Sequence, residues 1–126
     1  MRRIWMTFAV LAVLTGAVCA AQEELDVDLM QGIEDTNKSL ASNIATRDAR
    51  TASAEAKELT EAFAKVESFY VGKGDAPDAV ELARKSKALT GEIARLVEAG
   101  NFEAATNAAT DLSRTCKTCH NFYKKS

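Results

Sequence analysis

Four stretches of this chain carry apolar residues at alternating spacings of three and four, the pattern of a helix that packs against other helices. They run from about residue 25 to 46, 49 to 70, 76 to 99 and 102 to 123. Each pattern persists over several turns, and no strand-like alternation of any length occurs. The sequence therefore predicts an all-α protein with four helices.

The same spacing predicts which face of each helix is buried. In helix order, the residues on these faces are Met30, Ile33, Asn37, Leu40 and Ile44; Ala52, Ala56, Leu59, Phe63, Val66 and Tyr70; Leu82, Ser86, Leu89, Ile93 and Leu96; Phe102, Ala105, Ala109, Leu112, Cys116, Cys119 and Tyr123.

Capping residues mark several of the helix boundaries. Asp48 is a predicted N-cap of the second helix, because its carboxylate can accept from the free amides of the first turn. Gly100 is expected to end the third helix, and Asn101 to cap the fourth. These signals place the second and fourth helices directly after short connections.

The connection between the second and third helices has its own markers. The glycines of residues 72–74 predict a break after Tyr70, and Asp75 is a predicted cap for a helix with Pro77 in its first turn. Short connections force neighbouring helices to run antiparallel. The predicted fold is therefore an antiparallel up-down-up-down four-helix bundle.

The N-terminus has the features of a secretory signal peptide. Arg2 and Arg3 precede an apolar run over residues 4–18, which is too short to span a bilayer comfortably. We expect cleavage after Ala20, or after Ala21 as the second choice, which leaves one domain over residues 21–126. An uncleaved membrane anchor and a lipid-modified Cys19 are weaker alternatives.

Composition supports one small exported domain. The chain has 126 residues, 47% of them hydrophobic, with one proline and six glycines, as in a globular protein. Loss of Arg2 and Arg3 leaves fourteen basic residues against eighteen acidic ones, a net charge of −4. No basic run is interleaved with aromatic residues, so nothing indicates a nucleic-acid partner. The expected location is the periplasm.

The last predicted helix contains the pattern C-x-x-C-H at Cys116, Cys119 and His120, which is the attachment sequence for c-type haem. Two thiols at this spacing can form thioethers with neighbouring edges of one porphyrin, and the adjacent histidine supplies the proximal iron ligand. The sequence therefore predicts one covalently attached haem c. Thioether attachment takes place outside the cytoplasm, which agrees with the signal peptide.

A redox pair, a zinc site and a structural disulfide account for the two cysteines less well than haem does. A thioredoxin-like C-x-x-C begins a helix near a βαβ unit, whereas this pair lies near the end of a helix in an all-helical chain. A zinc site needs about four ligands, and His120 is the only histidine. A disulfide between Cys116 and Cys119 closes a very short loop and constrains the unfolded chain little.

The position of the pattern in the last helix of a four-helix chain resembles the class II c-type cytochromes, the cytochrome c′ family. Helix number, length and order carry this resemblance over the whole mature chain, while only the haem pattern and the following Tyr123 are specific. The chain has Lys124 where many members carry arginine. The resemblance implies a haem protein. No catalytic acid–base pair or nucleophile stands out in the sequence, so no enzymatic reaction is assigned.

Members of this family differ in what lies opposite the proximal histidine. Five-coordinate members resemble proteins that bind nitric oxide or carbon monoxide, whereas low-spin members, of the cytochrome c-556 type, use a methionine of the first helix and resemble electron carriers. Met30 is the one methionine left after processing. The start of the first helix should lie level with the end of the fourth, so at about 1.5 Å per residue Met30 and His120 should be within a turn of each other.

The expected function is one-electron transfer through a haem with His120 and Met30 as axial ligands, and the alternative is binding of nitric oxide or carbon monoxide. The expected partners are redox proteins of unknown identity, and a homodimer is left open. Four aromatic residues are candidates for the haem pocket: Phe63, Phe102, Phe122 and Tyr123. Asn37, a polar residue on a predicted core face, is a candidate for fixing helix register or for a hydrogen bond to a partner helix; the simpler alternative is a satisfied side chain at the edge of the packed face.

Overall fold

The computed structural model describes residues 25–123. The predicted signal peptide and Lys124 lie outside the described residues. The described chain forms four α-helices and no strand: α1 (Val27–Ala45), α2 (Ala49–Lys73), α3 (Pro77–Glu98) and α4 (Phe102–Tyr123). The prediction of four helices is confirmed, with boundaries within a few residues of those expected.

The helices pack as a closed ring. Each helix contacts the next along the chain, and α1 also contacts α4. The connections are only residues 46–48, 74–76 and 99–101, so each helix reverses the direction of the one before it. The predicted four-helix bundle is therefore confirmed. Of the neighbouring pairs, α1 and α4 pack least extensively.

The predicted N-caps of α2 and α4 are confirmed. A carboxylate oxygen of Asp48 accepts from the backbone amide of Thr51 at 3.1 Å, and the side-chain oxygen of Asn101 accepts from the amide of Ala104 at 3.1 Å. At α1, the carboxylate of Asp26 accepts from a first-turn amide at 2.9 Å. Each bond satisfies a donor that the helix itself leaves free.

Helix α3 ends in a Schellman motif, as the glycine predicted. Gly100 has φ 75°, and its amide donates to the carbonyl of Val97 at 3.1 Å, while the amide of Asn101 donates to the carbonyl of Leu96 at 2.8 Å. Helix α1 ends in the same way, with Arg47 at φ 59° in the left-handed position. A residue with a Cβ is strained there by about 1–2 kcal/mol relative to glycine.

Two predictions at the connection between α2 and α3 are wrong. Helix α2 continues past Gly72, and the chain turns at Gly74, which has φ 75°. Ala76 is the N-cap of α3 and makes no side-chain cap bond, so Asp75 does not cap this helix. Because Pro77 occupies the first helical position, Asp75 lies one residue too early for its carboxylate to cap the first turn.

The predicted core faces hold for α1 and α2 but shift on α3. All six residues predicted for α2 are buried. On α3, Ser86 and Ile93 are buried as predicted, but the three leucines of the predicted face are only partly buried. The other buried residues of this helix are Ala79, Ala83, Thr90, Ala94 and Val97. Small side chains allow neighbouring helices to approach closely, so alanines take the centre of the contact and the leucines flank it.

The centre of the bundle contains at least one large, fully buried side chain from each helix. These side chains are Leu40, Leu59, Thr90, Ile93, Val97 and Leu112. Each such aliphatic side chain stabilises the fold by about 1.5–3 kcal/mol relative to full exposure. No helix within residues 25–123 is both long enough and apolar enough to cross a membrane.

Candidate functional site

A cavity lies at the end of the bundle where α1 begins and α4 ends, and all four helices contribute to its walls. The four residues predicted as haem ligands or attachment points all line it: Met30 from α1, and Cys116, Cys119 and His120 from α4. The structure thus brings together side chains from the two ends of the described chain.

Helical periodicity explains why these side chains share one space. Cys119 and His120 lie three and four residues after Cys116, so all three lie on a single face of α4. Met30 shares the inner face of α1 with buried Ile33. Because α1 and α4 are antiparallel neighbours, the beginning of one lies beside the end of the other.

The walls of the cavity are mainly apolar. Its apolar lining consists of Ile33, Phe63, Val66, Leu82 and Ala83. Its volume is about 70 Å³, below the roughly 300–1,000 Å³ of ordinary cofactor pockets. An apolar, enclosed wall of this kind suits the face of a large aromatic ring system.

An open cleft of about 540 Å³ adjoins the cavity. Met30, Glu34, Cys119 and His120 line both spaces, so the two are continuous at these residues. The cleft also has Tyr70, only 8% exposed, on its wall. Cavity and cleft together reach the size range of a cofactor pocket, with a mainly apolar cavity on one side and an open cleft on the other.

The two thiols are unbridged and half-buried. Burial raises the pKa of the Cys116 thiol to about 11, and the neighbouring Cys119 adds to the effect. Burial also raises the pKa of Cys119. Redox-active C-x-x-C pairs have the opposite property, a pKa lowered by the beginning of a helix or by a nearby cation. This environment is therefore unlike that of a thiol–disulfide oxidoreductase.

Of the aromatic residues predicted to line the pocket, the structure places one at the cavity and another far from it. Phe63 lines the cavity, as expected. Phe102 does not, because it begins α4 at the opposite end of the bundle, where the guanidinium of Arg47 lies 5.8 Å from its ring centroid. The side chains of Phe122 and Tyr123 lie outside the described residues.

Sequence reasoning missed Tyr70 as a residue of the site. It placed this residue only on the core face of α2. Tyr70 lies near the end of α2, and in an up-down bundle that end is level with the beginning of α1. Its ring meets that of Phe69 edge-on, with centroids 5.0 Å apart. Position along the helix, combined with the predicted topology, was the signal that could have found it.

The donor set fits a covalently attached haem. Two thiols at the attachment spacing, an imidazole beside the second thiol and a thioether from another helix face one apolar cavity. Among residues 25–123, no group of three or more histidine, cysteine, aspartate or glutamate side chains is placed to hold a metal ion directly.

Comparisons of the chain with protein-family models, with curated proteins and with solved structures return no match.

Proposed function

We propose that this protein is an exported monohaem c-type cytochrome of the class II type, which transfers single electrons through a covalently bound haem. The observation that carries the proposal is the shared cavity of Met30, Cys116, Cys119 and His120. The bundle and the position of the attachment sequence in its last helix support the same class.

Each of these side chains has a distinct part in the proposal. Cys116 and Cys119 would attach the haem through thioethers, and His120 would supply the proximal imidazole. Met30 would supply a thioether sulfur on the other side. When bound, the haem supplies one-electron iron chemistry, with a potential set by its ligands and surroundings.

Met30 supports electron transfer over gas binding. A carrier needs little rearrangement between its oxidised and reduced forms, and a second protein ligand provides that. A thioether ligand also stabilises reduced iron and so raises the potential relative to two nitrogen ligands. The apolar wall of the cavity would shield one side of the haem from water. No enzymatic reaction is proposed, and the proposed partners are redox proteins.

The first test is covalent haem attachment. The full-length chain is produced in a bacterial host with haem-attachment machinery, and a denaturing gel is stained for haem. We expect the stain to migrate with the protein and to disappear in the double variant Cys116→Ser/Cys119→Ser. Thr118→Ser is the matched control, because Thr118 lies between the two cysteines and is exposed.

Export is tested on the same material. We expect the haem-stained protein in the periplasmic fraction, with an N-terminus at Ala21 or Gln22. An exported, intact protein without haem would contradict the proposed function. A haem-loaded protein that retains Met1 would contradict only the predicted cleavage of the signal peptide.

A further inference from the structure

Asn37 is a polar residue on the wall of an otherwise largely apolar cavity. It lies seven residues after Met30 on α1, two turns along the same face, and both residues line the cavity with Cys116 and His120. Its side chain is half-buried. A carboxamide in such a place loses water, so it needs a compensating partner.

Within residues 25–121, whose side chains the structure describes, the carboxamide of Asn37 has no hydrogen-bond partner on another helix, so nothing there assigns it to fixing helix register. The second asparagine of α1 behaves differently: the amide of Asn43 donates to the carboxylate of Glu55 on α2 at 2.7 Å. Asn43 thus joins two helices, whereas Asn37 lies on the cavity wall.

The other polar side chains at the cavity are already engaged. The hydroxyl of Ser86 donates to the carbonyl of Leu82 at 2.8 Å, and the carboxylate of Glu34 accepts from Lys38 at 3.0 Å. Asn37 is therefore the polar group of this wall that is free to orient toward a bound group. A carboxamide that turns its oxygen toward a positive centre stabilises that charge.

On the basis of the proposed function, we infer that Asn37 tunes the reduction potential of the haem by stabilising its oxidised form. Oxidised iron carries one more positive charge than reduced iron, so a nearby carboxamide dipole stabilises it preferentially. Polarity and hydrogen bonding around a haem are recognised means of setting its potential. In this inference, Asn37 acts on the iron charge through its side-chain dipole and does not bind the iron.

The test is the midpoint potential of the haem-loaded protein, measured by spectroscopic titration. Asn37→Leu removes the dipole but keeps the branching of the side chain, and it should shift the potential to a higher value. Asn37→Gln keeps a carboxamide and should restore a potential near that of the wild type. If Asn37→Leu fails to load haem, Asn37→Val is measured in its place and should also raise the potential.

Asn43→Leu is the matched control on the same helix. It should lower stability, since it leaves the Glu55 carboxylate with fewer partners, without shifting the potential. An unchanged or lower potential in Asn37→Leu overturns the inference. So does conversion to a high-spin spectrum, which would show that Asn37 acts by supporting the iron ligand. Absence of covalent haem from the wild type would instead overturn the proposed function itself.

Discussion

Met30, near the beginning of α1, and His120, near the end of α4, face the same cavity. The antiparallel bundle brings them together, because the first helix begins at the level where the fourth ends. In the proposed function, this thioether and this imidazole are the two axial ligands of the haem iron.

Met30→Ala should remove the sixth ligand. We expect the wild-type ferric protein to show a low-spin Soret band and a sulfur-to-iron charge-transfer band, and the variant to show a high-spin spectrum. The reduced variant should then bind carbon monoxide at once. Absorption spectra of both oxidation states check this.

Leu29→Ala is the control for Met30→Ala, because Leu29 is its neighbour and is partly buried against the core. It should leave the spectrum unchanged. A low-spin spectrum retained in Met30→Ala would make Met30 a packing residue. A wild type that is high-spin and binds carbon monoxide would favour the gas-binding alternative.

Two glycine substitutions should have opposite effects on stability. Gly91 lies inside α3, and a Cβ there would meet only a side-chain nitrogen of Arg95 at 3.9 Å. Gly91→Ala should therefore stabilise by about 0.5–1 kcal/mol. Gly100 has φ 75°, so Gly100→Ala should destabilise by about 1–2 kcal/mol. Urea unfolding measures both free energies of unfolding. If the two substitutions change stability in the same direction, the assignment of the two backbone conformations is contradicted.

A buried pair of hydroxyls joins α2 to α3. The Oγ1 atoms of Thr60 and Thr90 are 2.8 Å apart, and Thr90 is fully buried. Thr90→Val should destabilise by about 1–3 kcal/mol, because it leaves a desolvated hydroxyl with one partner fewer. The double variant Thr60→Val/Thr90→Val should lose less than the sum of the single losses.

Thr106→Val is the control for this pair. Thr106 is exposed, and its hydroxyl donates only within its own helix, to the carbonyl of Phe102 at 2.8 Å. It should be close to neutral in thermal or urea unfolding. Strict additivity of the Thr60 and Thr90 substitutions would show that the two hydroxyls do not interact.

Glu67 should make stability depend on pH. Its carboxylate lies 2.8 Å from the Nζ of Lys87 and 3.0 Å from the Nε of Arg84, both on α3. These hydrogen bonds, first that of Lys87 and then that of Arg84, lower the pKa of Glu67 below its usual 4.5. A lowered pKa in the folded state means that the stabilisation is complete above pH 4.5 and is lost as pH falls through the folded value.

Glu67→Gln should therefore be less stable than the wild type at neutral pH, with a difference that shrinks as the pH falls below about 4.5. Unfolding curves from pH 7 to pH 3 measure it. Glu61→Gln, an exposed substitution on the same helix, should show no such convergence. A difference between wild type and Glu67→Gln that stays constant over this range would contradict the role of the ion pairs.

The local features of this protein were determined by its sequence alone. Periodicity fixed the number and approximate bounds of the helices, and Asp48, Gly100 and Asn101 marked boundaries that the structure reproduces. The C-x-x-C-H pattern defined the candidate attachment residues. The boundary predictions succeed because capping and turn formation depend on residues close together in the chain.

Beyond the approach of Met30 to His120 and the place of Phe63, which were predicted, only the tertiary structure decided which side chains meet. It rotated the buried face of α3 toward its alanines, moved Phe102 away from the site, and added Tyr70 to the cleft. It also turned Asn37 toward the cavity beside Met30 rather than to a partner on a neighbouring helix. The burial of a helix face depends on the side chains of the helices packed against it, and that information lies far away in the sequence.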